Sequence, residues 1–361
     1  MIKKGVGMDQ KKEMQTTIIE IKNNQQATKE EFLSILRLVA PGTNLRSALN
    51  GIVEAKKGGL IIVENEIVHQ VLDGGFKVNC RFTPQRLIEL AKMDGAIVLS
   101  NDMKRITYAN VTLAPDSRIP TKETGTRHKA AERTAKMTGT LAIAVSERKN
   151  EINLYYKDIK YHVRSTAEIL RRATETLQIL EKQRDLFDLN LAKLNQIEID
   201  NDLNLRQACK VIQKGKAIEK ILDSQEKTLI ELGNEAVTLK LRIKELMKDV
   251  ERETDLVIRE YTKLNLKKSR NILEGLSYEE LLDVENIIIA LAQKEDNNLS
   301  AIKGWRMLSK TSLEEKEIAD LVSKFQNLNN IINAGFDEHK EILGNEKAGT
   351  FIKELQRFRN L

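Results

Sequence analysis

Thr83-Pro84-Gln85-Arg86-Leu87-Ile88-Glu89-Leu90-Ala91-Lys92-Met93-Asp94-Gly95-Ala96-Ile97-Val98-Leu99-Ser100 changes its period halfway along. Thr83 supplies a hydroxyl suited to an N-cap, and Pro84 stands where a helix loses nothing by lacking an N–H. That start predicts a helix through Met93. Ala96–Ser100 is compact, apolar and partly β-branched, which predicts a strand. Similar signals lie on both sides. Residues 29–39 and 45–57 have helical spacing, and Gly58-Gly59 leads into the short apolar run Leu60-Ile61-Ile62-Val63. Ile106–Leu113, Leu141–Ser146 and Ile152–Tyr156 are further strand candidates, with a helix near 128–138 between the first two of these. Strands and helices mixed in this way predict an α/β domain over 28–165, a mixed sheet with flanking helices.

The chain changes character beyond that domain. All four prolines (Pro41, Pro84, Pro115, Pro120) fall in the first third, and residues 140–214 contain no glycine. Long helices are therefore permitted. Leu170, Ala173, Leu177, Leu180, Phe187, Leu191 and Leu194 follow three- and four-residue steps, interrupted by Arg184, as in a helical seam of a bundle or coiled coil. Gly215, Gly233 and Gly275 are candidate breaks between helices. A helical spine is expected over 166–298 and a small helical domain over 299–361. In the latter, Ile342–Gly349 leads into a helical pattern at Phe351–Phe358. A short glycine turn between helices offers N–H groups to a DNA phosphate, and it is equally an ordinary helix–helix loop.

The 361 residues carry a formal charge of +6, with 31% charged and 4% aromatic residues. The basic excess lies in residues 1–150, where a polyanionic ligand is best received. Cys80 and Cys209 are far apart and outside any CxxC spacing, which argues against a disulfide scaffold or a zinc site. No apolar run is long enough to span a bilayer, and the N-terminus lacks the apolar core of a signal peptide. A soluble, cytoplasmic protein is expected, with residues 1–27 as an N-terminal extension.

Familiar catalytic signatures are missing. There is no GxxxxGK[ST], no GxGxxG after a strand, no HExxH and no GxSxG. Two segments remain. Asp94-Gly95-Ala96, between helix and strand, reads either as a tight turn or as a carboxylate beside a residue that leaves room for a ligand. Gly125-Thr126-Arg127-His128-Lys129-Ala130-Ala131-Glu132-Arg133 begins a helix, with Thr126 suited to capping, and crowds cations into its first turn. The helix dipole disfavours cations there unless an anion compensates them. A bound phosphate would receive backbone N–H groups, the dipole and basic side chains together.

At these residues the chain resembles the diadenylate cyclase family, whose DGA motif stands here as Asp94-Gly95-Ala96. Its RHR motif stands as Arg127-His128-Lys129, within Gly125–Arg133. Pro41-Gly42-Thr43 with Leu45-Arg46, Tyr108–Val111, Pro115-Asp116 and Ile119–Thr121 agree as well, so the likeness is dense over about 30–160. The resemblance implies that two subunits each hold one ATP face to face. Each 3′-hydroxyl attacks the other nucleotide's α-phosphate, giving cyclic di-AMP and two pyrophosphates. It implies a homo-oligomer, an octamer in the family, and Mg2+ or Mn2+ as cofactor. Asp94 would bind the metal and help deprotonate the 3′-hydroxyl, while Gly95 and Ala96 admit the ribose or base. Leu113 would pack on adenine. Thr126, Arg127, His128 and Lys129 would hold phosphates, completed by the backbone of Ala130 and by Ser146.

Two positions depart from the family pattern. Lys129 replaces an arginine, keeping the charge and losing the planar fork. The C-terminal hairpin reads Leu343-Gly344-Asn345 where GxG is usual, with Gly344, Asn345 and Lys347 as candidate contacts to branched DNA. A catalytically impaired scaffold that binds DNA or senses ATP is the alternative these departures leave open.

Overall fold

The computed structural model describes residues 26–200, 204–262, 264–291 and 302–359. All but the last two residues of the expected 1–27 extension, and the expected boundary at 298/299, lie outside them. The contacts gather the chain into two units. One runs to Arg172 and takes back Lys227–Val237, and the other holds Ala173–Glu226 and everything from Thr238 onward.

The first unit is the expected α/β domain. In chain order it contains α1 (Lys29–Leu38), α2 (Asn44–Glu54), β1 (Gly59–Val63), β2 (Leu72–Asp73), β3 (Phe76–Arg81) and α3 (Pro84–Leu90). These are followed by β4 (Ala96–Leu99), β5 (Arg105–Leu113), α4 (Thr126–Thr138), β6 (Leu141–Val145), β7 (Ile152–Tyr156) and β8 (Ile159–Val163). Thr83 caps α3 as its sequence requires, its side chain accepting from the Arg86 N–H. The strands form one mixed sheet in the order β2-β5-β4-β1-β6-β7-β8, with β3 also on β5. Only β1 and β4 are paired in parallel. β2, β3 and β8 have no strand signal in the sequence. Their exposure alternates or is nearly complete, so they lack the dense apolar run that marks a buried strand.

The side-chain period of two sorts the strands onto two faces. Ile61, Val63, Ile97, Leu99, Ile143 and Val145 pack with Leu45, Leu49, Ile52 and Leu87 from α2 and α3. Leu60, Ile62, Ala96, Val98, Ala142 and Ala144 face the other way, onto Ala131 and Ala135 of α4. Burying each larger aliphatic chain contributes about 1.5–3 kcal/mol. Alanine on both sides of the second contact lets α4 lie close to the sheet. Its N-terminus therefore opens beside the end of β6, where Ser146 follows Val145.

The second unit is helical. The long α5 (Thr166–Ile199) begins in the first unit and is followed by α6 (Leu205–Leu232), α7 (Val237–Leu246), α8 (Val250–Tyr261), α9 (Leu266–Gly275), α10 (Tyr278–Leu281) and α11 (Val284–Ala290). Then come α12 (Trp305–Leu308), α13 (Glu315–Phe325), α14 (Leu328–Asn333), α15 (Phe336–Leu343) and α16 (Asn345–Arg359). On α5 the buried seam is Ala173, Leu180, Phe187 and Leu194. Leu170, expected in it, is exposed, and Ile169 occupies the inward position four residues before Ala173. Gly215 does not break a helix. It lies inside α6, where a Cβ would stand 2.0 Å from Thr254 Oγ1 of α8, so it marks a close helix crossing.

The hub of this unit is Arg306, fully buried on α12. It donates to both carboxylate oxygens of Glu198 and, at 2.7 Å, to Asn195 Oδ1. Tyr261 donates to the same Glu198 at 3.0 Å. Such a pair offsets its desolvation only when its donors and acceptors are satisfied. Both cysteines are free, and burial pushes the Cys209 thiol up to about 12. No helix among the described residues is long and apolar enough to cross a membrane.

Candidate active site

A cleft of about 770 Å³ opens at the start of α4. Its walls come from Glu123–His128, from the β6–β7 turn (Val145–Lys149 and Glu151), and from Asn153 and Lys160 of β7 and β8. The helix start differs in kind from those of α1, α2 and α3, each capped by a threonine. Here the N-cap is Gly125, with φ −80° and ψ 140°, and no side chain caps the first turn. Thr126, expected as the cap, is the first helical residue. The first turn contains no acid. Uncapped N–H groups and the dipole face the cleft, together with Arg127 and His128.

Arg127 is held loosely. Its guanidinium lies 3.7 Å from Asp94 and 3.8 Å from Glu147. Room for it comes from Gly58, where a Cβ would stand 2.0 Å from Arg127 Nη1. In the sequence Gly58 marks only the lead into β1, because nothing local connects it to a side chain on α4.

Asp94 itself is fully exposed and outside the cleft lining, reaching it through Arg127. Gly95 has φ +86°, and an added Cβ would come within 2.8–3.0 Å of the Asn110–Val111 backbone of β5. The space beside Gly95 is thus occupied by a neighbouring strand, at a register shift between Ala96 and Val98. Glycine is required there for close strand approach. Ala96 is buried in the sheet. Leu113, expected against adenine, is half-buried and packs against the core on the α4 side of the sheet, as does Ala130. Lys129 is half-buried and outside the cleft lining, while Ser146 lines it. The fold therefore brings Thr126, Arg127, His128 and Ser146 together in the cleft lining and sets Asp94 beside Arg127, while Gly95, which is exposed, and Ala96, Leu113, Lys129 and Ala130 are not part of that lining.

The back wall contains a group that no local sequence pattern reveals. Tyr155 donates to Glu123 Oε1 at 3.0 Å, and Lys160 pairs with the same carboxylate. The Tyr155 and His128 rings meet edge to face with centroids 6.4 Å apart. Burial lowers the proton affinity of His128, opposed by the charge of Glu123. A second set of contacts pins the preceding loop. Arg133 donates to Ile119 O at 2.9 Å, Lys136 to Pro120 O at 3.0 Å, and Thr121 to Glu132. No cluster of three or more His, Cys, Asp or Glu suited to a metal occurs among the described residues.

Comparison with known proteins gives two family matches in succession. Residues 46–159 match the family described as "DisA bacterial checkpoint controller nucleotide-binding", and residues 163–300 match "DisA bacterial checkpoint controller linker region". The chain is 38% identical over 339 residues to the DNA integrity scanning protein DisA of Clostridium botulinum (strain Loch Maree / Type A3), covering 91% of this chain and 96% of that protein. It is 38% identical over 321 residues to the protein of the same name from Clostridium acetobutylicum, covering 87% and 90%. The same name and identity recur in Acetivibrio thermocellus over 324 residues, again covering 87% and 90%.

Proposed function

Because this chain belongs to the DisA family of diadenylate cyclases, we propose that the cleft at the start of α4 holds one ATP for a reaction completed across two subunits. Each nucleotide's 3′-hydroxyl attacks the other's α-phosphate, two pyrophosphates leave, and the ring of cyclic di-AMP closes. Chemistry of this kind depends on positioning and on neutralising charge. The observation that carries the reading is the uncapped, acid-free start of α4. It opens into the cleft with Arg127 and His128, and Asp94 stands 3.7 Å from Arg127. The α4 N–H groups, Arg127, His128 and Ser146 bind phosphate. Arg127, loosely paired with Asp94 and Glu147, is free to exchange those carboxylates for phosphate oxygens.

The exposure of Asp94 supports the two-subunit arrangement. A carboxylate fully exposed outside its own cleft is accessible to a hydroxyl presented by a second nucleotide. Its free lone pairs also suit a divalent cation. Mg2+ is commonly held by one or two carboxylates together with substrate phosphates, so the lack of a three-residue cluster is compatible with it. Bound there, Mg2+ or Mn2+ would polarise the phosphate and lower the proton affinity of the hydroxyl. Asp94 would hold it and accept the hydroxyl proton. A homo-oligomer in the cytoplasm, an octamer as the family implies, follows from the same reading.

Incubation of the full chain with ATP and Mg2+ or Mn2+, followed by nucleotide chromatography, tests the proposal. Cyclic di-AMP is expected; intact ATP would overturn it in favour of the impaired scaffold. Asp94→Asn should remove the product while leaving the oligomer intact. We also assign weak, salt-sensitive, sequence-independent DNA binding to 299–361. Deletion of those residues should abolish affinity for branched DNA, and unchanged affinity would remove the assignment.

A further inference from the structure

The cleft is lined by the cations Arg127, His128, Arg148, Lys149 and Lys160 and by three acids, of which Glu147 is exposed, Glu151 is half-buried and Glu123 is built into the wall. The Glu123 side chain is only 14% exposed. Burial raises its proton affinity, but hydrogen bonds from Lys160 and Tyr155 outweigh that and hold the carboxyl below the usual range. It is therefore an anion at neutral pH. Tyr155, pushed up by burial and then by Glu123, remains a protonated donor. A fixed negative charge inside a triphosphate site opposes binding unless it serves another group there.

We propose that Glu123 is a positioning residue for phosphate binding, fixing the His128 ring through Tyr155 and favouring the protonated imidazole that the phosphates need. The inference rests on the cleft being the ATP site. The groups facing His128 act in opposite directions. Burial of the ring acts first, against the cation; Glu123 and Glu151 favour it, and Lys160 and Lys149 oppose it. Arg127 and Lys129, its neighbours on α4, add like charge, and the dipole of α4 adds to the opposition. Glu123 acts on the imidazole through its charge and also pairs with Lys160. Arriving phosphates then stabilise an imidazolium whose ring is already oriented.

The sign of the pH dependence follows from linkage. If His128 binds phosphate as a cation, ATP affinity falls as pH rises through its titration. Removing the Glu123 charge lowers the proton affinity of His128 and leaves Lys160 unmasked, which lowers it further. The fall in affinity then moves to lower pH.

Histidine-labelled full-length protein provides the test, since only His69, His162 and His339 accompany His128. His128→Gln assigns the signal. In Glu123→Gln the His128 resonance should titrate at lower pH than in the wild type. The KM for ATP should rise about three- to tenfold at neutral pH, with kcat changed less than about twofold and the difference narrowing only as pH falls through the lowered His128 titration of the free protein. Glu123→Asp should retain most of the wild-type profile. An unshifted His128 titration in folded Glu123→Gln, or an equal loss of activity at every pH, would overturn the proposal. If the wild type yields no cyclic di-AMP, the reading of the cleft fails, while the titration still tests the coupling of Glu123 to His128.

Discussion

The helices α4 and α16 both begin directly after a glycine and carry a lysine within four residues, and both resemble places where a phosphate could dock. Their charges are arranged in opposite ways. The start of α4 has no acid in its first turn and opens into a cleft with Arg127 and His128. The start of α16 has Glu346 in its first turn, and Lys347 is paired with Glu317 of α13 at 2.5 Å. Gly344, at φ +78°, is the sole residue between α15 and α16, so Asn345, Lys347 and Gly349 are all helical. The turn expected over 342–349 is thus shorter than its sequence implied. Two helix starts with the same local grammar differ because one has its cations facing open space and the other has its cation engaged.

The largest test of this contrast is Arg127→Ala. It should reduce cyclic di-AMP formation by about a hundredfold or more, as expected for losing a charge-assisted phosphate contact. Product chromatography on folded oligomer reads it directly. A variant with near-normal turnover would show that the α4 start does not act through Arg127.

Gly58→Ala addresses the same contact from the sheet side. A Cβ at 2.0 Å from Nη1 must displace the guanidinium, which is the far end of a flexible chain. Activity should fall about tenfold, while thermal stability changes by about 1 kcal/mol or less, because the arginine can swing away. An equal loss of stability and activity would mean that the backbone, rather than Arg127, gives way.

The smallest effect is expected at α16. Lys347 holds the Glu317 carboxyl below its usual range by a side-chain hydrogen bond. That contribution is present above the ordinary carboxylate pKa and is lost as pH falls through the lowered value in the folded protein. Glu317→Gln frees Lys347 and should tighten DNA binding about two- to threefold at low salt, measured by titration against a branched duplex. Unchanged affinity across salt would remove Lys347 from any DNA contact and leave it as one end of a surface ion pair.

Much of this architecture is legible residue by residue. The Thr83-Pro84 start, the short apolar runs Leu60–Val63 and Leu141–Val145, and the absence of proline after Pro120 predict the α/β domain and the helices that follow. These are local periods, and local backbone geometry imposes them. The cations at the start of α4 are legible for the same reason, since their conflict with the dipole lies within one turn. Asp94-Gly95 was ambiguous between a turn and a ligand site, and its glycine proves to be set by the backbone of β5.

What tertiary structure alone decided is which distant groups meet. Gly58 makes room for Arg127, Glu123 joins Tyr155 and Lys160 behind His128, and Gly215 admits Thr254 where a break was expected. Lys347 is engaged by a carboxylate on another helix. None of these has a period or a neighbour in sequence to reveal it. The hydrophobic faces determine which elements form and which sides they bury; the small residues where those faces cross determine how close they come, and so which charges remain free to bind.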